Sequence, residues 1–215
     1  MTKLRLRISI SLDGYVAGPE QSVNEPLGVG GERLHDWVVP LRVWRSMHGK
    51  EGGEVNANSA VAEESMANIG ATIMGRNMFG GDPGPWRTEH PWNGWWGNQP
   101  PFHHPVFVLT HHARAPLMLS DTTFTFVTSG IQAALEQARR AARGKDVALA
   151  GGAKACAQYL GAGLVDEMEL HQVPILLGSG ARLFDGAGND LHGLTLTRTV
   201  AGPGVTHLKF ERPVR

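Results

Sequence analysis

Leu4, Leu6, Ile8 and Ile10 alternate with Lys3, Arg5, Arg7 and Ser9 at the start of the chain, a period of two that predicts a strand over residues 3–10 with one apolar and one polar face. Asp13-Gly14 and Ala17-Gly18-Pro19 then mark turns around a short extended piece. Residues 19–60 carry no sustained periodicity and read as a long loop with one short helix near residues 34–47. A helix over 59–69 leads into a buried strand over 71–74 that ends at Gly75, and Arg76-Asn77-Met78-Phe79 opens the next helix. Residues 80–105 hold six prolines and four tryptophans (Trp86, Trp92, Trp95, Trp96), a composition that interrupts regular elements and predicts an ordered loop packed by its aromatics.

The second half is more regular. Strands are expected over 105–110 and 123–127. A helix should follow, with Ser129 and Gln132 spaced as a capping box and Ile131, Ala134, Leu135 and Ala138 on one face. A strand over 146–150, a turn at Gly151-Gly152, a helix over 153–160 and a strand over 165–173 complete a repeated strand-helix order. That order implies an α/β fold with a mostly parallel sheet and helices on both faces. Alternation in 194–197 and 205–210, joined through Gly202-Pro203-Gly204, predicts a closing antiparallel hairpin at a sheet edge, which leaves backbone available for a homodimer.

The chain has 215 residues, 41% hydrophobic and 19% charged, which suits one compact domain over residues 1–215. Lysine plus arginine and aspartate plus glutamate number 20 each, so no net field favours nucleic acid or an anionic membrane, and a small-molecule ligand is expected. No apolar run reaches the length that spans a bilayer, and the lone Cys156 allows neither an intramolecular disulfide nor a four-cysteine zinc site; the expectation is a cytoplasmic protein.

Several residues could carry chemistry. Gly151-Gly152 sits between a buried strand and a helix, where backbone amides bind phosphate, although a tight turn alone can also require glycine. Arg76, at the first turn of a helix after a strand, could clamp a terminal phosphate or form an ordinary surface ion pair. Gly28-Val29-Gly30-Gly31 follows no strand, and the glycine pair lacks a following lysine with serine or threonine, so neither a Rossmann fingerprint nor a P-loop is present. His103-His104 and His111-His112 flank one strand, about 25 Å apart if extended, too far for one ion; no metal is expected. Glu167, Glu169 and His171 share one strand face, which either lines a pocket or meets solvent.

The segments Ser9–Ala17 (Ser-Ile-Ser-Leu-Asp-Gly-Tyr-Val-Ala), Met74–Phe79 (Met-Gly-Arg-Asn-Met-Phe), Val106–Thr110 and Val147–Gly152 resemble, in their order, signatures of the dihydrofolate reductase-like superfamily. Leu164-Val165-Asp166-Glu167-Met168 and Val173–Gly180 resemble its RibD C-terminal branch. The resemblance implies a dihydrofolate reductase-like fold and an NADPH-dependent reductase of a small, pterin- or pyrimidine-like heterocycle. Ala153, Lys154 and Ala155 after the glycine pair would border the cofactor phosphates. Arg76, Asn77, Thr110 and His111 would approach the adenosine 2′-phosphate and Ala17 the nicotinamide, with Gly75 also part of the cofactor site. RibD-type reductases carry an acidic residue just before the glycine pair, where this chain has Ala150. Glu63 or Glu64 lies in the helix that supplies the pterin-holding acid of dihydrofolate reductases.

Hydride transfer needs one proton besides the cofactor's electrons, and water, Asp13, Glu167 and His171 are the possible sources. Trp37 and Trp44 in the early loop, and Trp86 to Trp96 in the later one, offer flat surfaces for a ring-shaped substrate, so at least one loop is expected to cover the site. A non-catalytic nucleotide- or flavin-binding module on the same fold is the alternative class.

Overall fold

The computed structural model describes residues 2–213. Its strands are β1 (Leu4–Ser11), β2 (Tyr15–Ala17), β3 (Ile69–Gly75), β4 (Val106–Leu109), β5 (Leu117–Leu119), β6 (Thr122–Val127), β7 (Asp146–Gly151), β8 (Glu167–Val173), β9 (Ala181–Arg182), β10 (Thr195–Gly202) and β11 (Val205–Glu211). The helices are α1 (Arg42–Met47), α2 (Ala57–Met66), α3 (Arg76–Phe79), α4 (Gly130–Ala141) and α5 (Ala153–Gly161), with a 3₁₀ turn at Gly31–His35.

Among the described residues, nine strands form one sheet in the order β10-β11-β8-β1-β7-β3-β4-β6-β5, and β2 and β9 pair separately. Neighbours from β8 across to β6 run parallel, while β11 and β5 join antiparallel at either side. This is the expected architecture, including the C-terminal hairpin, whose β10 is an edge strand.

One face of the sheet is conventional. Leu4, Leu6 and Ile10 of β1 join Ile73, Phe107, Val147 and Leu149 beneath the apolar stripes of α4 (Ala134, Leu135, Ala138) and α5 (Cys156, Tyr159, Leu160). Helical periodicity in α4 and α5 is therefore what closes this side.

The other face is mixed. Phe79, Val106, Phe124 and Phe126 pack under the tryptophan-rich loop, while Leu34, Trp37, Val38, Leu41 and Ala62 cover Val173 and Val205. Between these clusters lie the alternate, polar positions of β1 and β8. These too are buried: Arg5, Ser9, Glu167, Glu169 and His171 all lie under α2 and the segment before it. A strand covered on both sides has no solvated face, so the solvent-facing reading of Glu167, Glu169 and His171 does not hold.

Several boundaries differ from expectation for local reasons. The single helix expected near 34–47 is split into the 3₁₀ turn and α1, because Pro40 and the extended Leu41 interrupt the helical hydrogen-bond ladder. The helix expected over 59–69 starts at Ala57, where Asn56 caps the chain: its side chain accepts from Asn58 N at 2.9 Å and its amide donates to Ser59 Oγ at 3.0 Å. It stops at Met66, so Ile69 belongs to β3. The capping box expected at Ser129 and Gln132 is absent, because no side chain of Ser129 caps α4. The tryptophan loop is ordered as expected, and its indoles do specific work: Trp95 Nε1 donates to Met78 O and Trp92 Nε1 to Phe79 O, satisfying carbonyls at the end of α3.

Candidate active site

β1 and β7 are neighbours, yet they pair over only three residues each, Leu4–Leu6 against Val147–Leu149. Beyond that point β1 continues along β8 to Ser11, and β7 continues along β3 to Gly151. The two strands thus part at their C-terminal ends and open a slot in the sheet. Gly75, Thr110 and the glycine pair end the neighbouring strands on the same edge, the edge where open α/β sheets bind ligands.

The two glycines at this edge do different things. Gly151 has φ +138°, a conformation side chains disfavour, and an added Cβ would sit 3.3 Å from Met78 Sδ. Gly152 has ordinary dihedrals, and a Cβ there would meet nothing within 4 Å. Its lack of a side chain leaves a cradle in front of α5. No side chain caps α5, so the amides of Ala153 and Lys154 and the positive helix end face that cradle. Gly75 closes the far side, its added Cβ falling 3.1 Å from Ala155 Cβ. The structure thus brings Gly75, Gly151, Gly152, Ala153 and Ala155 into one contact zone, whereas the Lys154 and Asn77 side chains point to solvent.

Arg76 lies one step further along. Its guanidinium carbon sits 3.2 Å from the centroid of the Trp86 ring, Nε donates to Gly80 O and Nη2 to Asp82 O, and Nη1 is buried without a partner. Arg114 approaches the same indole at 5.0 Å. Trp86 Nε1 donates to His112 O at 2.7 Å, and His112 N donates to Thr110 Oγ1, so the end of β4 is tied to this cluster with His111 exposed beside it. A cavity of about 360 Å³ opens between Asn24, Arg76, Trp86, Arg87 and Trp92. Two guanidiniums against one aromatic plane, with an orphaned donor, suit a phosphate group.

The other wall of the slot is the polar face of β1 and β8. Trp37 Nε1 donates to Ser9 Oγ at 3.0 Å, and the indole lies 4.6 Å from the His171 ring and 4.9 Å from the His207 ring. Hydrogen bonds order the tautomers. Asn58 Nδ2 donates to Pro203 O, so Asn58 Oδ1 accepts from His207 Nε2; His207 Nδ1 then accepts from His171 Nδ1 at 2.8 Å. Burial, then the neighbouring His207, Arg7 and His35, hold the His171 imidazole well below its usual range, so it is neutral with its Nε2 lone pair free.

Other expected site residues fall elsewhere. Asp13 is a turn staple: it accepts from Ser11 Oγ at 2.6 Å and from the amides of Leu177 and Gly178, contacts that lower its pKa to about 2, so it is ionised and donates no proton. Glu167 pairs in register with Arg5 at the start of the strands, the end opposite the glycine pair. Burial pushes its carboxyl up, but Arg5 and Lys209 outweigh this and keep it below the ordinary value, so it too is a poor proton donor. Glu63 is exposed on the outside of α2, and Glu64 reaches Arg198 and Lys209, so neither enters the slot. Ala17 is buried where β2 pairs with β9. The tryptophan loop packs on α3, β4 and β6 and does not cover the slot; the segment carrying Trp37 does.

Reading the sequence missed Arg7, His35, Asn58, His207 and Arg114. Arg7 had a usable signal, since a cation on the alternate face of a strand that is covered on both sides is left with little solvent. The others come from distant segments.

A family model described as the RibD C-terminal domain matches residues 2–208. A putative riboflavin biosynthesis protein from Shewanella sp. PV-4 superposes with a TM-score of 0.61 at 21% identity, covering 100% of both chains. A diaminohydroxyphosphoribosylaminopyrimidine deaminase/5-amino-6-(5-phosphoribosylamino)uracil reductase from Thermotoga maritima gives 0.57 at 12% identity, over 98% of this chain and 56% of that one. Dihydrofolate reductase from Enterococcus faecalis, complexed with NADP(H) and RAB-propyl, gives 0.54 at 11% identity, over 99% and 97% of the two chains. No curated protein matches the sequence.

Proposed function

The chain belongs to the RibD C-terminal domain family, and on that footing we propose that it is an NADPH-dependent reductase acting on a small heterocycle, pterin- or pyrimidine-like, held in the slot between β1 and β7. The observation that carries this reading is the parting of those two strands directly beside the glycine pair, on a track that ends at Arg76.

The residues fit the cofactor. The open cradle at Gly152 and the uncapped α5 would hold a pyrophosphate, and the orphaned Arg76 Nη1 with Arg114 would take a 2′-phosphate. NADPH, when bound, supplies the hydride. The chain's own part is to bind, orient and exclude water: Trp37 gives the slot a flat apolar wall, and Gly152 admits close approach of the ligand. Asp13 and Glu167 are ionised, so the proton comes from water or passes by way of His171, the titratable group beside the slot. Two copies would associate along the β10 edge, where Leu196 is exposed.

Calorimetric titration with NADPH and NADH tests the reading. NADPH should bind tighter than NADH by about tenfold or more, a difference of about 1.4 kcal/mol, and Arg76→Ala should erase the preference. Binding of neither nucleotide would overturn the assignment.

A further inference from the structure

Arg7 is the first residue of β1 beyond the last pair with β7, Leu6 with Leu149, so it stands at the inner end of the slot. Its Nε and Nη2 are buried and have no hydrogen-bond partner among the described residues. Glu169, opposite it in register on β8, is taken by Ser65 and Arg198, and among the described residues no carboxylate lies within ion-pair distance of Arg7. Burial draws its pKa down to about 10, which leaves it a cation at neutral pH. His35 repeats the pattern two residues before Trp37, with a buried Nδ1 that has no partner. Both groups bear electrostatically on His171, whose Nδ1 is committed to His207. This corner therefore presents a guanidinium fork, two imidazoles and the Trp37 indole.

Arg7 is half-buried, and a cation that hides two donor nitrogens from water with no counterion in reach is unfavourable unless something else neutralises it. A guanidinium edge matches a planar anion with two oxygens. One unpaired cation matches a single negative charge, whereas the paired Arg76 and Arg114 suit a phosphate. We infer that the substrate carries a carboxylate on a small ring, that this carboxylate pairs with Arg7, and that the ring lies against Trp37. The inference rests on the reading of the slot as the substrate end of a reductase site.

The test is calorimetric titration of the whole chain with pyrimidine-4-carboxylate and with pyrimidine-4-carboxamide, alone and with NADPH present. Wild type should bind the acid at least about tenfold tighter than the amide. Arg7→Met should remove that preference with a melting temperature level with or above wild type, and Arg7→Lys, which keeps charge but loses the fork, should restore only part of it. Equal binding or no binding of acid and amide by wild type, an acid preference that survives in Arg7→Met, or a clear fall in that variant's melting temperature would each overturn the proposal. NADPH titration of the same samples separates the two readings. Lost nucleotide binding with a retained acid preference sinks the reductase assignment alone, and the reverse sinks this one alone.

Discussion

Arg5 and Arg7 leave the same face of one strand two positions apart and meet opposite environments. Arg5 Nε donates to Glu167 at 2.9 Å, Nη1 to Ala67 O and Nη2 to Glu64 O, so each of its nitrogens has a partner at the closed end of the sheet. Lys3 and Lys209 add further charge to Glu167, and Arg198 and Lys209 hold Glu64. At the open end Arg7 Nε and Nη2 have no such partner among the described residues. The difference separates two uses of buried charge. A network whose members satisfy one another holds α2 on the sheet, while a group without a protein partner beside an opening keeps its donors available to a ligand.

The same substitution at both positions breaks the comparison most sharply. Arg5→Met removes the closest partner of a carboxylate that is only 3% exposed, and should destabilise the protein by about 3–5 kcal/mol in chemical denaturation. Arg7→Met should leave stability level or raise it. Equal losses at both sites would mean that the two ends are one structural network.

Acid should reveal the next largest effect. Burial lowers His171 well below 6.5 and brings His104 and His207 to about 4, so the unfolded chain takes up these protons first. Stability should therefore be full above about pH 6.5 and fall as the pH drops toward 4. For Glu64, burial acts upward, but Lys209 and Arg198 bring the carboxyl down to about 2; its contribution is present above 4.5 and is lost as the pH falls through that lower value. Glu167 shifts in the same direction. Denaturation midpoints across this range should show both declines. A flat upper limb would contradict a neutral His171–His207 pair.

Lys3→Ala should have the smallest effect. Its side chain is 44% exposed, and solvent screens its pairs with Glu167 and Glu211, so its loss should cost about 0–1 kcal/mol. A loss as large as that of Arg5→Met would show that the network depends on its solvent-exposed rim.

How much of this was legible in the chain varies by element. β1, α4, α5 and the hairpin were readable because each depends on a short repeat of apolar positions. The glycine pair and Arg76 were readable because a strand-turn-helix junction puts backbone amides and a nearby cation at one edge whatever surrounds them. The edges of α2 were missed because Asn56 caps it, and the break at Pro40 was passed over, although both signals are local. The position of Glu167 relative to the ligand edge was not legible for a different reason. Strand periodicity says which residues share a face, but which end of the strand a residue occupies relative to the ligand edge depends on its register with β1.

Sequence alone determined the order of elements, the parallel sheet, its helical cover and the position of the glycine turn, because these follow from spacing within 10–20 residues or so. Tertiary structure alone decided that β1 and β7 part after three pairs. It alone decided that Arg5 finds Glu167 while Arg7 Nε and Nη2 find no partner among the described residues, and that Asn58, His207 and His171 align in one hydrogen-bonded row. The reason is that burial and pairing of a polar side chain depend on what the rest of the chain brings to it, and here the partners are distant in sequence: 162 residues from Arg5 to Glu167, 149 from Asn58 to His207 and 36 from His171 to His207.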